Sequence, residues 1–285
     1  MACDVTVLGP TDRPDAGSLA QAVFEDWDRR FSRFRTDSEL EWLNEAGARP
    51  VAVSKPMLTV VQAALRAARG TDGLFDPLLG ARMRELGYDR TYDELPSWRP
   101  AAPLAPWRAE AWRDVVVDPD RGTVRLPLGY RLDLGGIAKG MAVDAALDAV
   151  VAAGLPFAAV SAGGDLAVSG LPPGQTSWPI SIDGLDRTTV ALRRGALATS
   201  SVLRRRWRTA AGESHHLLDP RSGLPAAGPI VQASVAAATC GQAEVAAKMA
   251  ILSDLAGAIA RLEHNRLAGL LITDQGEAIQ VGTWQ

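Results

Sequence analysis

The stretch Arg131-Leu-Asp-Leu-Gly-Gly-Ile-Ala-Lys-Gly-Met-Ala-Val-Asp144 constrains the chain more than any other. It predicts the end of a strand (Tyr130 to Leu134), a two-glycine turn, and a helix running to about Gly154, where glycine is the expected stop past a last turn. Gly135 and Gly136 carry no Cβ, so a bulky anion can approach the backbone there. The free N–H groups and dipole end of the following helix would face that anion, with Lys139 as a nearby point charge. The same pattern fits a close-packed strand–helix joint with a solvated lysine, and short glycine motifs alone do not separate the two. Asp133 favours a site, because a carboxylate at the mouth of an apolar strand is costly unless something pairs with it.

The rest of the chain sets the frame. Its 285 residues, 47% hydrophobic and 22% charged, are an ordinary globular mix long enough for one large domain or two. A net charge of −3 and a pI near 5.7 argue against nucleic acid as the main partner. The basic run Arg204-Arg-Arg-Trp-Arg208 is short and alternates as a solvated strand or loop would. Cys3 and Cys240 lie far apart, which indicates neither a disulfide framework nor a zinc site. No stretch approaches a membrane span and no basic-then-apolar leader is visible, so the expectation is a cytoplasmic protein.

Strands and helices interleave without a repeat or low-complexity linker, which predicts mixed β-sheets flanked by helices in one α/β (α+β) unit over residues 1–285. A helix from about Ser18 to Phe31 carries Leu19, Val23, Trp27 and Phe31 as an apolar stripe. Ser38 caps a short helix Glu39 to Asn44, and Ser54 caps a helix with Pro56 in its first turn. The loop Thr71-Asp-Gly-Leu-Phe-Asp-Pro77 holds Asp76 extended before proline. Tyr88 to Trp112 reads as a surface excursion. A second Gly-Gly turn, Ala162-Gly-Gly-Asp165, follows a strand end. His215-His216 precede Leu217-Leu-Asp-Pro-Arg-Ser-Gly223. On a late helix, Thr239 to Leu252, Glu244 and Lys248 stand one turn apart as in an exposed ion pair. Ser253 is the expected cap of the helix after it.

These segments together carry a resemblance. Phe31-Ser-Arg-Phe-Arg-Thr-Asp-Ser-Glu-Leu40, Leu43-Asn44, Thr71 to Pro77, Asp133-Leu-Gly-Gly-Ile-Ala-Lys-Gly140, Ala162 to Asp165, Ala198-Thr-Ser200 and His216 to Gly223 resemble, in this order, the FAD:protein FMN transferase (ApbE-type flavin transferase) family. The resemblance spans almost the whole chain and implies a reaction. FAD is cut at its pyrophosphate, FMN is esterified through phosphate to a threonine or serine of a target protein, AMP leaves, and Mg2+ assists. It implies that Phe34 packs on the flavin, that Leu74, Phe75 and Asp76 hold FAD, and that Asp133, Lys139 and Leu217 contact it. Met1, in Met1-Ala-Cys3, stands where the family has Met-Gly-Thr and joins that cofactor set. Gly163, Gly164 and Asp165 are further cofactor-binding candidates. His216 is the candidate proton acceptor, and Lys139 a second catalytic candidate.

The implied metal site comprises Gly136, through its main-chain oxygen, and positions 244 and 248. There the sequence departs from the family's Ala-Asp-x-x-x-Thr and reads Ala243-Glu-Val-Ala-Ala-Lys248. Glutamate remains a hard oxygen donor for magnesium. Lys248 is not a ligand as an ammonium, and would take the metal's place as a fixed positive charge. Two alternatives to transfer stay open: a flavin binder or carrier without catalysis, and hydrolysis of FAD to FMN and AMP.

Overall fold

The computed structural model describes residues 4–13, 15–96, 98–100, 103–183, 188–210 and 212–284. Met1 and Cys3 lie outside the described residues. Helices start where a side-chain oxygen satisfies the first free N–H groups. Ser38 accepts from the Glu41 N–H and Ser54 from the Met57 N–H, which opens helices Glu39–Glu45 and Lys55–Gly70 as expected. Helix Leu255–His264 begins one residue later than predicted. Asp254 accepts from the Gly257 N–H at 2.7 Å, while the Ser253 hydroxyl turns back to donate to the Met249 carbonyl at 2.8 Å.

Seven strands form one antiparallel sheet in the order Val5–Leu8, Ala158–Ala162, Asp165–Ser169, Gly195–Ser201, Ile230–Ala237, Ala268–Thr273, Ala278–Val281. Helices Ala138–Ala152 and Cys240–Ile251 lie side by side on one face. A ribbon of Trp178–Ile182 and Thr188–Leu192 covers the other. Alternation along the strands explains both layers: Ala158, Val160 and Ala162 face the helices, and Ala159 faces the ribbon. The unit is mixed α+β. Among the described residues its parallel pairing is confined to a small sheet in which Arg206–Thr209 meets Trp98–Arg99, and to the single bridge Leu79–Arg131. No helix among the described residues is long and apolar enough to cross a membrane.

Three local expectations are corrected by packing. In helix Ala16–Phe31 the buried line is Ala16, Ala20, Phe24 and Phe31, with Leu19, Val23 and Trp27 only partly covered. Ala16 and Ala20 cluster with Ala142 and Ala146 of helix Ala138–Ala152, where small side chains let the two helices approach closely. The Tyr88–Trp112 segment is not all surface, since Tyr88 and Trp112 are buried and the Trp107 indole N–H donates to the Pro220 carbonyl at 2.7 Å. Residues 130–134 do not form a strand. Their buried backbone is satisfied by the amide of Asn44, which accepts from the Leu132 N–H at 2.7 Å and donates to the Leu132 carbonyl at 3.0 Å. The Asp133 N–H goes to the Pro77 carbonyl at 2.8 Å.

Candidate active site

The Asp133–Gly136 turn leads into helix Ala138–Ala152 at the point where a second helix, Cys240–Ile251, also begins. Gly140 makes this meeting possible, because a Cβ there would stand 2.5 Å from the Cys240 carbonyl oxygen. The two helices then exchange carboxylates. Glu244 of the second accepts from the Gly140 N–H at 2.9 Å, and Asp144 of the first accepts from the Cys240 and Gly241 N–H groups at 2.7 and 3.0 Å. Each partially positive helix start is thus served by an acid from its neighbour. The expectation that the first helix offers free N–H groups to an external anion is corrected for Ala138, whose N–H goes to the Leu134 carbonyl, and for Gly140. The Gly135 N–H is also taken, by Asp133 Oδ1 at 2.8 Å.

Gly136 serves close packing. A Cβ on it would lie 2.7 Å from the Phe75 ring and 3.1 Å from Lys248 Cε. Lys248 runs past this glycine to an ion pair with Glu244 at 3.2 Å. The surface pair predicted from their spacing is in fact enclosed, with side-chain exposures of 17% and 3%. Helix Cys240–Ile251 is apolar on nearly all sides and sits between the sheet and its neighbours, so even its polar turn is buried. A second pair joins Lys139 to Asp165, and the lysine also reaches the Ala162 carbonyl at 3.4 Å. Burial pulls the Lys139 ammonium down, but the Asp165 and Glu244 carboxylates outweigh that and hold it above its ordinary range.

Around these pairs lie two adjoining cavities. An apolar cleft of about 130 Å³ contains Phe34, Leu74, Phe75, Asp76, Asp133, Gly136, His216, Leu217 and Lys248, all singled out in the sequence. A larger polar cavity of about 840 Å³ is lined by Lys139, Gly163, Gly164, Asp165 and Glu244. Gly135, Arg205, His216 and Lys248 belong to both. Phe34 is a wall residue, 5.5 Å from Tyr88, and the Arg33 guanidinium stacks over both rings at 4.1 and 4.3 Å. Arg33 also pairs with Asp133 at 3.2 Å, which resolves the cost of that carboxylate.

Among the described residues Asp76 has no such cation. Burial raises its carboxyl to about 6, one oxygen accepts from the Leu78 N–H at 2.8 Å, and Oδ2 has no partner. The two adjacent histidines divide. His215 Nδ1 accepts from the Leu217 N–H at 3.3 Å, so its Nε2 donates to the Ala226 carbonyl at 3.0 Å and the ring is structural. His216 faces both cavities with Nδ1 unpartnered. Burial, then Arg205, Lys248, His215 and Arg33, push it well below its ordinary value, so it is a neutral base at pH 7.

Arg33, Tyr88 and Arg205 line the cleft but escaped the sequence-based site set. The Arg204–Arg208 run was the available signal for Arg205, whose left-handed backbone (φ 51°) breaks the alternation of a solvated strand. A magnesium ion does not fit the donors present. Lys248 brings an ammonium to Glu244 Oε1, Gly140 occupies Oε2, and no three His, Cys, Asp or Glu side chains converge among the described residues.

Fold and cavities define an α+β protein with a two-part ligand pocket where two helix starts meet. The ApbE protein of Thermotoga maritima shares this fold with a TM-score of 0.83 at 24% identity, over 97% of this chain and 93% of that one. The flavin transferase ApbE of Vibrio cholerae aligns with a TM-score of 0.77 at 23% identity, over 99% and 98%. Curated FAD:protein FMN transferases of Treponema pallidum and Vibrio cholerae are 29% and 28% identical over 246 and 270 residues. Those alignments cover 79% and 89% of this chain and 68% and 78% of the relatives. The ApbE family profile matches residues 1–271, and the chain belongs to the ApbE family.

Proposed function

We infer that this chain is an FAD:protein FMN transferase. The observation that carries the reading is the paired cavity: an apolar cleft walled by Phe34, Tyr88 and Phe75 runs into a polar one through His216 and Lys248. A flat ring system joined to a pyrophosphate has that division of chemistry. In the reaction the hydroxyl of an acceptor threonine or serine attacks the FMN phosphorus. A new O–P bond forms, the bridging P–O bond to AMP breaks, and the hydroxyl proton goes to the neutral His216. Asp133 is held by Arg33 and Asp165 by Lys139, so these acids keep the pocket in shape. Asp76, with its unpartnered oxygen, is left to meet a ligand N–H. The acceptor is a protein, and the chain's acidic balance gives no reason to invoke nucleic acid. Magnesium is not part of this reading, because of the donor set described above.

Incubation with FAD and an acceptor protein carrying an exposed threonine tests it. Flavin fluorescence on the denatured acceptor, with stoichiometric AMP, is the expected result. AMP with free FMN and no labelled acceptor would make the chain a hydrolase, and neither product would make it a binder. Because His216 is already neutral, the acid limb of kcat/KM is expected below pH 6.5 and is lost with His216→Ala. A limb at or above pH 7 removes His216 as the base.

A further inference from the structure

Lys248 has a combination of properties that a structural ion pair does not need. Its stem is pinned against Gly136, where the Cδ and Cε atoms would stand 3.2 and 3.1 Å from any added Cβ. One ammonium proton goes to Glu244 Oε1, and the side chain lines both the apolar cleft and the polar cavity. An ammonium has three protons, and Glu244 is the one protein partner found among the described residues. Glu244 in turn is held at the start of helix Ala138–Ala152 by the Gly140 N–H. Its charge is therefore shared with a helix end and with Lys139. Asp165, which also acts on Lys248, is itself paired with Lys139, so no carboxylate among the described residues serves Lys248 alone. The second buried lysine, Lys139, differs in this respect, being tied to both Asp165 and the Ala162 carbonyl.

We propose that Lys248 supplies, as a fixed ammonium, the positive charge the phosphates of FAD require here, so that the chain handles FAD without a bound divalent cation. The proposal rests on the flavin reading above and deepens it. A lysine is a compact point charge with rotatable donors, suited to a phosphate oxygen. It neutralises charge on the diphosphate as a metal would, without claiming the oxygen ligands a metal needs. In the transfer step Lys248 donates hydrogen bonds to phosphate oxygens and gives up no proton. The bonds made and broken are those already stated, with the hydroxyl proton on His216 and AMP as leaving group.

The test uses the full chain in three titrations: Mn2+ alone, followed by electron paramagnetic resonance; FAD, in EDTA and in excess Mg2+; and riboflavin, which has no phosphate. The expected result is no saturable Mn2+ binding, and FAD affinity equal within about twofold in the two buffers. Lys248→Met is expected to weaken FAD by about tenfold or more, the effect of losing one close charge, while riboflavin changes by less than about twofold. If that variant fails to fold because Glu244 is left unpaired, Glu244→Gln combined with Lys248→Met buries neither charge and carries the same expectation. Saturable Mn2+ binding that Glu244→Gln abolishes overturns the proposal. A fall of about tenfold or more in FAD affinity in EDTA does so too, as does unchanged FAD affinity in the Lys248 variant. Should FAD bind in neither buffer, the flavin reading falls and takes the phosphate role of Lys248 with it, whereas FAD binding that is lost only in EDTA overturns the cation assignment alone.

Discussion

The two Gly-Gly turns, Asp133-Leu-Gly-Gly136 and Ala162-Gly-Gly-Asp165, are nearly alike in sequence, each a glycine pair beside a carboxylate. Their glycines serve different physical needs. Gly163 and Gly164 have φ of 55° and 91° and form a two-residue hairpin between Ala158–Ala162 and Asp165–Ser169. Such turns require left-handed backbone at both central positions. A Cβ on Gly164 would meet nothing within 4 Å. Gly136 has no left-handed backbone, but a Cβ there would collide with Phe75 and crowd Lys248. One pair is glycine for chirality, the other for close approach. The acids beside them differ too, since Asp133 meets an arginine at the cleft wall and Asp165 a lysine inside the polar cavity.

The largest effect expected is at the hairpin's acid. Asp165 is 1% exposed and pairs with Lys139, so Asp165→Asn leaves a buried ammonium without its direct partner, with Glu244 as the remaining carboxylate acting on it. Breaking one side of such a pair costs about 3–5 kcal/mol, which denaturant unfolding would register. A loss below about 1 kcal/mol would mean that Glu244 alone can hold Lys139.

Next comes Gly136→Ala. Displacing Phe75 and Lys248 by a few tenths of an ångström to an ångström is expected to lower FMN transfer by roughly a hundredfold, with a smaller loss of stability. Activity within about threefold of the parent would show that the cleft absorbs the methyl group and would remove the close-approach argument.

The cleft side also carries a pH signature. Asp76 rises from 3.8 to about 6 through burial, so the folded chain retains a proton that the unfolded chain has released. Stability contributed by that proton is present below about pH 4, is lost as pH rises towards 6, and stays lost above. Asp76→Asn should therefore stabilise the protein by up to about 3 kcal/mol at pH 8 and not at pH 4, seen as a Tm difference between the two pH values. An equal shift at both would assign the effect to packing.

The smallest effect is expected at Gly164→Ala. An added Cβ has room but must sit at positive φ, costing about 1 kcal/mol, with FAD affinity changed less than at Gly136. A larger loss of affinity here than for Gly136→Ala would reverse the comparison.

Much of this was legible in the chain itself. The serine caps at 38 and 54 and the helix stop at Gly154 follow from local hydrogen bonding and backbone conformation, which need no distant partner. The ordered motifs were also enough to indicate the family and to name nine residues that come together in one cleft. Other features depend on atoms far apart in sequence. Asn44 replaces a strand neighbour for Leu132 across 88 positions, and Glu244 caps a helix that starts about a hundred residues earlier. Spacing made Glu244 and Lys248 look like a surface pair, because i to i+4 geometry is the same on a buried helix as on an exposed one. Only the packing of Cys240–Ile251 on the sheet beside helix Ala138–Ala152 turned that pair inward. Likewise the two glycine pairs are equivalent as letters. Whether a glycine is needed for its φ or for the space beside it is set by what stands next to it, and for Gly136 that neighbour is Phe75, drawn from sixty residues away.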